Sequence, residues 1–191
     1  MQTQTPLPTA GFAHPARNVG ALAIDPGMMV ADFGAGSGAY ALLIAEALQG
    51  VGRVYAVDIQ RDLLRRIASE AARKGFSGVE VVWADLEKPG ASKLADGALD
   101  LVLVSNLLFQ LDSKKNLLAE AFRVLHPGGR LAIIDWQESF GGMGPQKGDV
   151  VTKDAAAALA TGAGFELQRE FAAGAHHYGL VFRKPIPRNT V

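Results

Sequence analysis

The sequence VADFGAGSGAY, residues 30–40, decides how this chain folds. It belongs to an apolar run that begins at residue 28 and holds one carboxylate, Asp32, before three glycines follow at alternate positions, Gly34, Gly36 and Gly38. Residues 40–48 then have the spacing of an amphipathic helix, so the stretch predicts a strand, a tight turn and a helix. Glycine tolerates positive φ and lets a ligand approach the backbone, and the free N–H groups that open a helix favour an anionic group. The alternative is that these glycines serve packing alone.

A second apolar run, residues 54–57, ends in Asp58. This acid lies about 20 residues beyond the last glycine, the distance at which the second strand of a βαβ unit delivers a carboxylate to ribose hydroxyls. With the glycine turn and the acid both present, we predict a ligand that contains a nucleoside.

The length and charge of the chain narrow the function further. Its 191 residues predict one domain, and basic and acidic residues balance at 19 each, so no basic field favours nucleic acid or an anionic membrane. The absence of cysteine excludes thiolate metal ligands and a cysteine nucleophile. Neither a secretion signal at the start nor an apolar run of about 18 residues is visible. A reducing cytoplasm fits these features, and we expect a cytoplasmic protein that is a monomer or a homodimer.

Apolar runs and amphipathic segments alternate along the rest of the chain. We predict strands at 28–33, 53–57, 79–83, 99–104, 130–134, 165–171 and 178–182, and helices at 16–22, 40–48, 62–74, 91–94, 113–124 and 153–163. Residues 136–149 are rich in glycine and predict a loop. The order predicts an α/β fold, a Rossmann-like doubly wound, mostly parallel seven-stranded sheet with an antiparallel edge and helices on both faces. The domain would span residues 26–185, between an N-terminal tail and short helix over the ligand site (1–25) and a C-terminal tail (186–191).

From about residue 26 to 184, the motifs resemble those of the class I S-adenosylmethionine-dependent methyltransferases. DFGAGSG at 32–38 looks like the glycine motif of that family, and Asp58 looks like its ribose-binding acid. ADL at 84–86 is similar to the adenine-site segment, and LHPGG at 125–129 to the turn before the fifth strand. PGM at 26–28 further resembles the branch that methylates quinones and other small molecules.

The resemblance implies S-adenosylmethionine as the cofactor and assigns roles to these residues. The glycines would lie against the methionine part and the ribose, Asp32 would orient the amino end, and Asp58 would accept both ribose hydroxyls. Asp85 would accept the adenine amino group, with a helix cap as the alternative. The implied cofactor-binding residues are Asp32, Gly34, Gly36, Gly38, Asp58, Ile59, Asp85, Leu86, Ser105 and Asn106.

Methyl transfer from a sulfonium depends mainly on alignment and needs a base only if the nucleophile arrives protonated. The predicted strand ends bring three candidates to one edge of the sheet, Asp135, His176 and His177, whereas His126 falls at the opposite edge and is interpreted as structural. Alternatively, the two adjacent histidines form an exposed or hydrogen-bonded pair in a turn.

The remaining aromatic and histidine side chains are candidates for the acceptor pocket. We expect Phe12, His14, Trp136 and Tyr178 to line this pocket or cover the cofactor, with ordinary packing as the alternative. His14, His176 and Asp135 could converge on a metal, but no ligand spacing supports one, so no metal is predicted.

The sequence therefore predicts an enzyme that transfers a methyl group from S-adenosylmethionine to a small-molecule acceptor. The alternatives are a protein or RNA methyltransferase, a module that binds the cofactor without turnover, and a nicotinamide oxidoreductase, which would leave Asp85 unexplained.

Overall fold

A computed structural model describes residues 13–142 and 144–187 of the chain. The strands are β1 (Met29–Phe33), β2 (Arg53–Asp58), β3 (Val79–Trp83), β4 (Leu99–Ser105), β5 (Leu125–Trp136), β6 (Glu166–Gly174) and β7 (His177–Arg183), and the helices are α1 (Pro15–Ala21), α2 (Ala39–Ala47), α3 (Arg61–Lys74), α4 (Lys114–Val124) and α5 (Lys153–Gly162). A 3₁₀ turn, Leu108–Gln110, precedes α4.

The seven strands form one sheet in the order β3-β2-β1-β4-β5-β7-β6. Strands β1 to β5 are parallel, and β7 pairs antiparallel with both β5 and β6. The predicted doubly wound, mostly parallel sheet with an antiparallel final pair is confirmed. The strand order reverses between β1 and β4, and ligands of such sheets bind at this point, beyond the carboxyl ends of the strands.

Helices cover both faces of the sheet, as predicted. On one face the core contains Phe33, Val102 and Ile133 together with residues of α4 and α5. On the other face Val30 and Leu103 pack with residues of α1, α2 and α3. Burial on both sides explains why β4 is apolar over almost its whole length.

The N-terminal helix α1 is fastened to the second of these faces. The Asn18 side chain donates hydrogen bonds to the Tyr40 hydroxyl (2.9 Å) and to the carbonyl of Ala173 (3.0 Å). Beyond the carboxyl end of α1, the Arg130 guanidinium donates to the carbonyls of Leu22 and Ala23. Because such contacts satisfy carbonyls at a helix end, they fix α1 beside α2 and β6.

One predicted helix is wrong: residues 91–94 belong to an irregular connection between β3 and β4. The Ser92 N–H (3.0 Å) and its hydroxyl (2.5 Å) both donate to the buried Glu120 carboxylate on α4. Arg123 pairs with the same carboxylate (2.7 Å). A tertiary network, rather than a local helix, therefore holds this connection.

Other boundaries also differ from the prediction. Strand β5 already begins at Leu125, because that residue pairs with Leu99 across a register shift. At the far end, β7 begins at His177, which pairs with Trp136, so this histidine lies in a strand and not in a turn. Helix α3 begins at Arg61, one residue before the predicted start, and follows Gln60 without a side-chain cap.

In the described parts of the chain, no helix combines the length and hydrophobicity needed to cross a membrane.

Candidate active site

Two cavities adjoin at the carboxyl edge of the sheet. The first measures about 320 Å³ and lies against the ends of β1, β2 and β3. The second measures about 380 Å³ and lies between the glycine turn, the start of α1 and the ends of β4 and β5. Both are lined by Gly34, Gly36 and Gln110. A single elongated ligand could therefore occupy both.

The three glycines of the turn have different surroundings, although each has positive φ (76°, 53° and 83°). A Cβ on Gly34 would overlap Leu107, and a Cβ on Gly38 would overlap Ile67. At Gly36 the nearest atom to such a Cβ is the Gly34 carbonyl oxygen at 3.9 Å, so the space beside this residue is open. Packing explains Gly38, whereas Gly36 is the position at which a ligand can approach the backbone.

Asp58 at the end of β2 belongs to the first cavity and is 7% exposed. Its Oδ2 accepts the Gly36 N–H and its Oδ1 accepts the Gln60 N–H, each at 2.8 Å. A carboxylate has about four acceptor positions, so each oxygen can accept a further donor from a ligand. The exposed side chain of Ile59 and the buried one of Leu86 contribute apolar wall.

Asp85 also lines the first cavity, after the end of β3. Its Oδ1 accepts the Glu87 N–H (3.1 Å), and its Oδ2 lies 3.3 Å from the Lys88 ammonium. This local bond resembles the cap that was the alternative role, although no helix follows. Asp85 can make this local bond and also accept the adenine amino group, because its carboxylate stays on the cavity wall.

Asp32 lies in the core between β1 and the first turn of α2 and is 1% exposed. It accepts a hydrogen bond from the Ala41 N–H, but its Oδ2 has no partner among the described residues. Burial, with a smaller effect of the nearby Asp58 charge, raises the pKa of Asp32 to about 7. The group is thus poised between its two protonation states at neutral pH.

Among the described residues, no charged side chain lines the second cavity. Ser105 and Asn106, after β4, form part of its wall, and Asn106 adopts φ +50°. The Oδ1 of Asn106 is buried without a partner among the described residues. Gln110 lines both cavities but could not be predicted from the sequence, because the 3₁₀ turn that places it carries no motif.

Trp136 and His177 line the far end of the second cavity, with their ring centroids 4.3 Å apart. His177 is 5% exposed, and neither ring nitrogen has a partner in the described residues. Burial, and to a smaller extent the neighbouring His176, lowers the pKa of His177 to about 4. The imidazole is therefore neutral at physiological pH.

Asp135 and Tyr178 are separated from this cavity, because neighbouring strand residues point to opposite faces of the sheet. The Asp135 carboxylate accepts the N–H groups of Leu108 (2.9 Å) and Trp136 (2.8 Å), and burial raises its pKa to about 6. The Tyr178 hydroxyl donates to the Val151 carbonyl (2.9 Å). The structure places both in the core, as supports of the 3₁₀ turn and of the loop after β5, rather than as the predicted base and pocket residue.

His176 has a separate environment beside the loop. Its Nδ1 lies 2.8 Å from a Glu138 carboxylate oxygen, and its ring stacks on Phe140 with centroids 3.8 Å apart. This arrangement is the hydrogen-bonded alternative and does not bring His176 to the cavity wall.

Of the two N-terminal candidates for the acceptor pocket, His14 lies within the described residues. His14 precedes α1 and donates its backbone N–H to Ala173 (3.3 Å), while its neighbours Ala13 and Pro15 line the second cavity. Phe12 lies outside the described residues. His126, at the opposite edge, lies 3.1 Å from an Asp100 oxygen. Within the described ranges, no three histidine, aspartate or glutamate side chains are placed to hold a metal ion.

This chain has a doubly wound sheet, and a glycine turn and an acid lie beside a cavity at the point where the strand order reverses. These features define the class of α/β proteins that bind a nucleoside-containing ligand. Comparison with known proteins narrows this class. Residues 24–160 match the family described as a methyltransferase domain. The chain therefore belongs to that family and to its class I S-adenosylmethionine-dependent members, as the motifs predicted.

Individual relatives agree with this assignment. An arsenite methyltransferase of Aquipseudomonas alcaligenes is 35% identical over 57% of this chain and 33% of its own length. The ubiquinone/menaquinone biosynthesis C-methyltransferase UbiE of Hydrogenovibrio crunogenus is 30% identical over 60% of this chain and 44% of its own. The chain thus spans a third to less than half of these two relatives. A crystal structure of a SAM dependent methyltransferase from Aquifex aeolicus superimposes with a TM-score of 0.81 at 25% identity, covering 90% of each chain.

Proposed function

We propose that this domain binds S-adenosylmethionine across the two cavities and transfers its methyl group to an uncharged small molecule. The observation that carries the proposal is the meeting of the two cavities at Gly36. On one side of this residue, carboxylates and apolar side chains form a wall suited to a nucleoside. On the other side, the cavity wall contains no charged side chain from the described residues.

The first cavity fits the adenosine half. The Asp58 oxygens have acceptor positions left for the ribose hydroxyls, and the same charge would repel the 2′-phosphate of an NADP-type ligand. Asp85 also lines this cavity and could accept the adenine amino group, and Ile59 and Leu86 provide apolar surface for the ring.

The second cavity fits the amino-acid half at its inner end. The Oδ1 of Asn106, a residue of this cavity wall, has no partner among the described residues, so it could accept a hydrogen bond from an ammonium group. Asp32 lines neither cavity, so we expect it to act on this ammonium through water or by its charge. The ammonium would in turn favour the ionised carboxylate, because an opposite charge lowers the pKa of a carboxyl group.

S-adenosylmethionine supplies a methyl group already activated by a positively charged sulfur. The protein then has to hold the acceptor atom in line with the methyl group and the sulfur, and to exclude water. Positioning of this kind can lower the barrier to reaction by roughly 7 to 11 kcal/mol. Trp136 and the start of α1 enclose the cavity in which the acceptor would lie. Of the three predicted bases only His177 lines this cavity, and its low pKa makes it a weak base.

The uncharged wall favours a neutral organic acceptor. This agrees better with the quinone acceptor in the name of the UbiE relative than with arsenite, because the 191 residues contain no thiolate for soft arsenic. The balance of 19 basic and 19 acidic residues gives no support to an RNA substrate. The cytoplasmic location, the domain boundaries and the monomeric or homodimeric state stay predictions.

A thermal-shift comparison tests the cofactor assignment. We expect S-adenosylmethionine and S-adenosylhomocysteine to stabilise the protein, by about 2.7 kcal/mol at 100 times the dissociation constant, and NAD to have no effect. Asp58→Ala should weaken this response by roughly 1.5 to 3 kcal/mol per charged hydrogen bond lost. Asp62→Ala, an acid on the exposed surface of α3, is the matched control and should leave it unchanged. A response to NAD as large as that to S-adenosylmethionine would overturn the assignment.

Turnover is tested with a labelled methyl donor and a panel of neutral small molecules, including quinols. Transfer of label supports the enzyme. Tight binding of both S-adenosyl compounds without transfer to any acceptor, peptide or RNA would instead favour the binding module.

A further inference from the structure

Two residues that line the second cavity carry three buried polar atoms that lack a hydrogen-bond partner among the described residues. They are Oδ1 of Asn106 and the two ring nitrogens of His177. Elsewhere in the described ranges the same is true of one side-chain atom, Oδ2 of Asp32. Because an unpaired buried polar atom costs free energy, folded proteins keep few of them, and a cluster at a cavity indicates groups that a ligand pairs with.

The fold determines why His177 carries two of these atoms. It is the first residue of β7 and pairs with Trp136 at the end of β5, so its side chain lies on the cavity side of the sheet. The preceding residue, His176, lies beside the Glu138 carboxylate instead. Two adjacent histidines therefore have different environments, and only one of them lines the cavity.

The imidazole of His177 offers one donor and one acceptor and no charge. Burial lowers its pKa to about 4, and within residues 13–142 and 144–187 no carboxylate lines the cavity to favour the protonated ring. In a neutral imidazole one nitrogen donates and the other accepts. The cationic sulfur of the proposed cofactor would oppose protonation further, since like charges disfavour each other at short distance.

We propose that His177 is a specificity-determining residue for the methyl acceptor, and that its neutral imidazole binds a hydroxyl group of an uncharged acceptor packed beside Trp136. This inference rests on the proposed function, in which Asn106 is used by the cofactor. A hydroxyl group is both donor and acceptor and so matches the ring. A carboxylate would meet no cationic side chain from the described part of the wall, and a purely apolar acceptor would leave both nitrogens unpaired.

The test uses the full chain saturated with S-adenosylhomocysteine, which occupies the cofactor site without turnover. NMR titrations compare p-cresol with 4-methylanisole and cyclohexanol with methoxycyclohexane, two pairs in which a methyl group replaces the hydroxyl proton. We expect at least one hydroxyl compound to bind about tenfold more tightly than its ether. The ring signals of His177 should shift on binding, whereas those of His126, at the opposite edge, should not.

Two variants assign the preference to the imidazole. His177→Phe keeps an aromatic ring without nitrogens and should bind alcohol and ether equally. His177→Gln keeps a donor and an acceptor and should retain part of the preference. His126→Gln is the matched control and should behave like the wild type. The dissociation constant of S-adenosylhomocysteine should stay within about twofold in all three.

Equal affinity for alcohol and ether in the wild type, or binding of none of the four compounds, would overturn the inference. So would a loss of S-adenosylhomocysteine affinity in His177→Phe, since the imidazole would then serve the cofactor. The ring-signal measurement is made on the wild type and stands even if a variant fails to fold. Failure of the wild type to bind S-adenosylhomocysteine contradicts the proposed function instead, and it is seen before any alcohol is added.

Discussion

Replacement of Asp32 by asparagine should change how the stability of this protein depends on pH. The side chain is fully buried, and its pKa is raised from 3.8 to about 7, chiefly by burial. Between these two values the native state holds a proton that the unfolded chain has released, so the wild type loses stability as pH rises. The loss is about 1.4 kcal/mol per pH unit and at most ~4 kcal/mol over the whole window. The asparagine side chain would keep an oxygen for the Ala41 N–H and cannot ionise.

The difference in unfolding free energy between Asp32→Asn and the wild type should therefore grow in favour of the variant from about pH 4 to about pH 7 and then become constant. Urea denaturation at half-unit pH intervals measures it, and titration of His177 cancels because both proteins contain it. Any fixed cost of the new amide group shifts the whole curve without changing its slope. Asp62→Asn, on the exposed surface of α3, is the control for the loss of one carboxylate. A difference for Asp32→Asn that is independent of pH would refute the reasoning.

Two further predictions concern the glycine turn and the connection from β3 to β4. Gly36→Ala should fold at a cost of about 1 to 2 kcal/mol for the left-handed backbone but lose S-adenosylhomocysteine affinity, whereas Gly38→Ala should lose more stability because its Cβ overlaps Ile67. Thermal unfolding of both variants and calorimetric titration with S-adenosylhomocysteine check this. If Gly36→Ala bound S-adenosylhomocysteine as tightly as the wild type does, no ligand would approach Gly36. Arg123→Ala leaves the buried Glu120 carboxylate without its cation and should cost about 3 kcal/mol in urea denaturation. A cost below about 1 kcal/mol would show that Ser92 alone satisfies this carboxylate.

Local patterns predicted the sheet well because each strand has its own signal. The apolar run at 79–83 has the bounds of β3, and the glycine turn and the acid of β2 occupy the positions that the motif implies. The short helix predicted at 91–94 is absent because the buried Glu120 on α4 binds Ser92. Such a long-range contact leaves no trace in local spacing.

The distribution of the candidate catalytic residues could not be predicted from strand ends alone. Asp58 and Asp135 both follow apolar runs, yet one faces a cavity and the other accepts N–H groups in the core. Whether such an acid faces the cavity or the core depends on how far its strand extends, here β5, because one extra residue moves a side chain to the other face of the sheet. The same reasoning applies to His176 and His177, whose separation is fixed only by the pairing of β7 with Trp136.

The most direct test of the account is a crystal structure of the protein with S-adenosylhomocysteine. We predict adenosine in the first cavity, with its ribose hydroxyls on Asp58 and its adenine amino group near Asp85, and the amino-acid half beyond Gly36 in the second cavity. A nucleoside bound elsewhere, or Asp58 and Asp85 both turned away from it, would contradict the central claim.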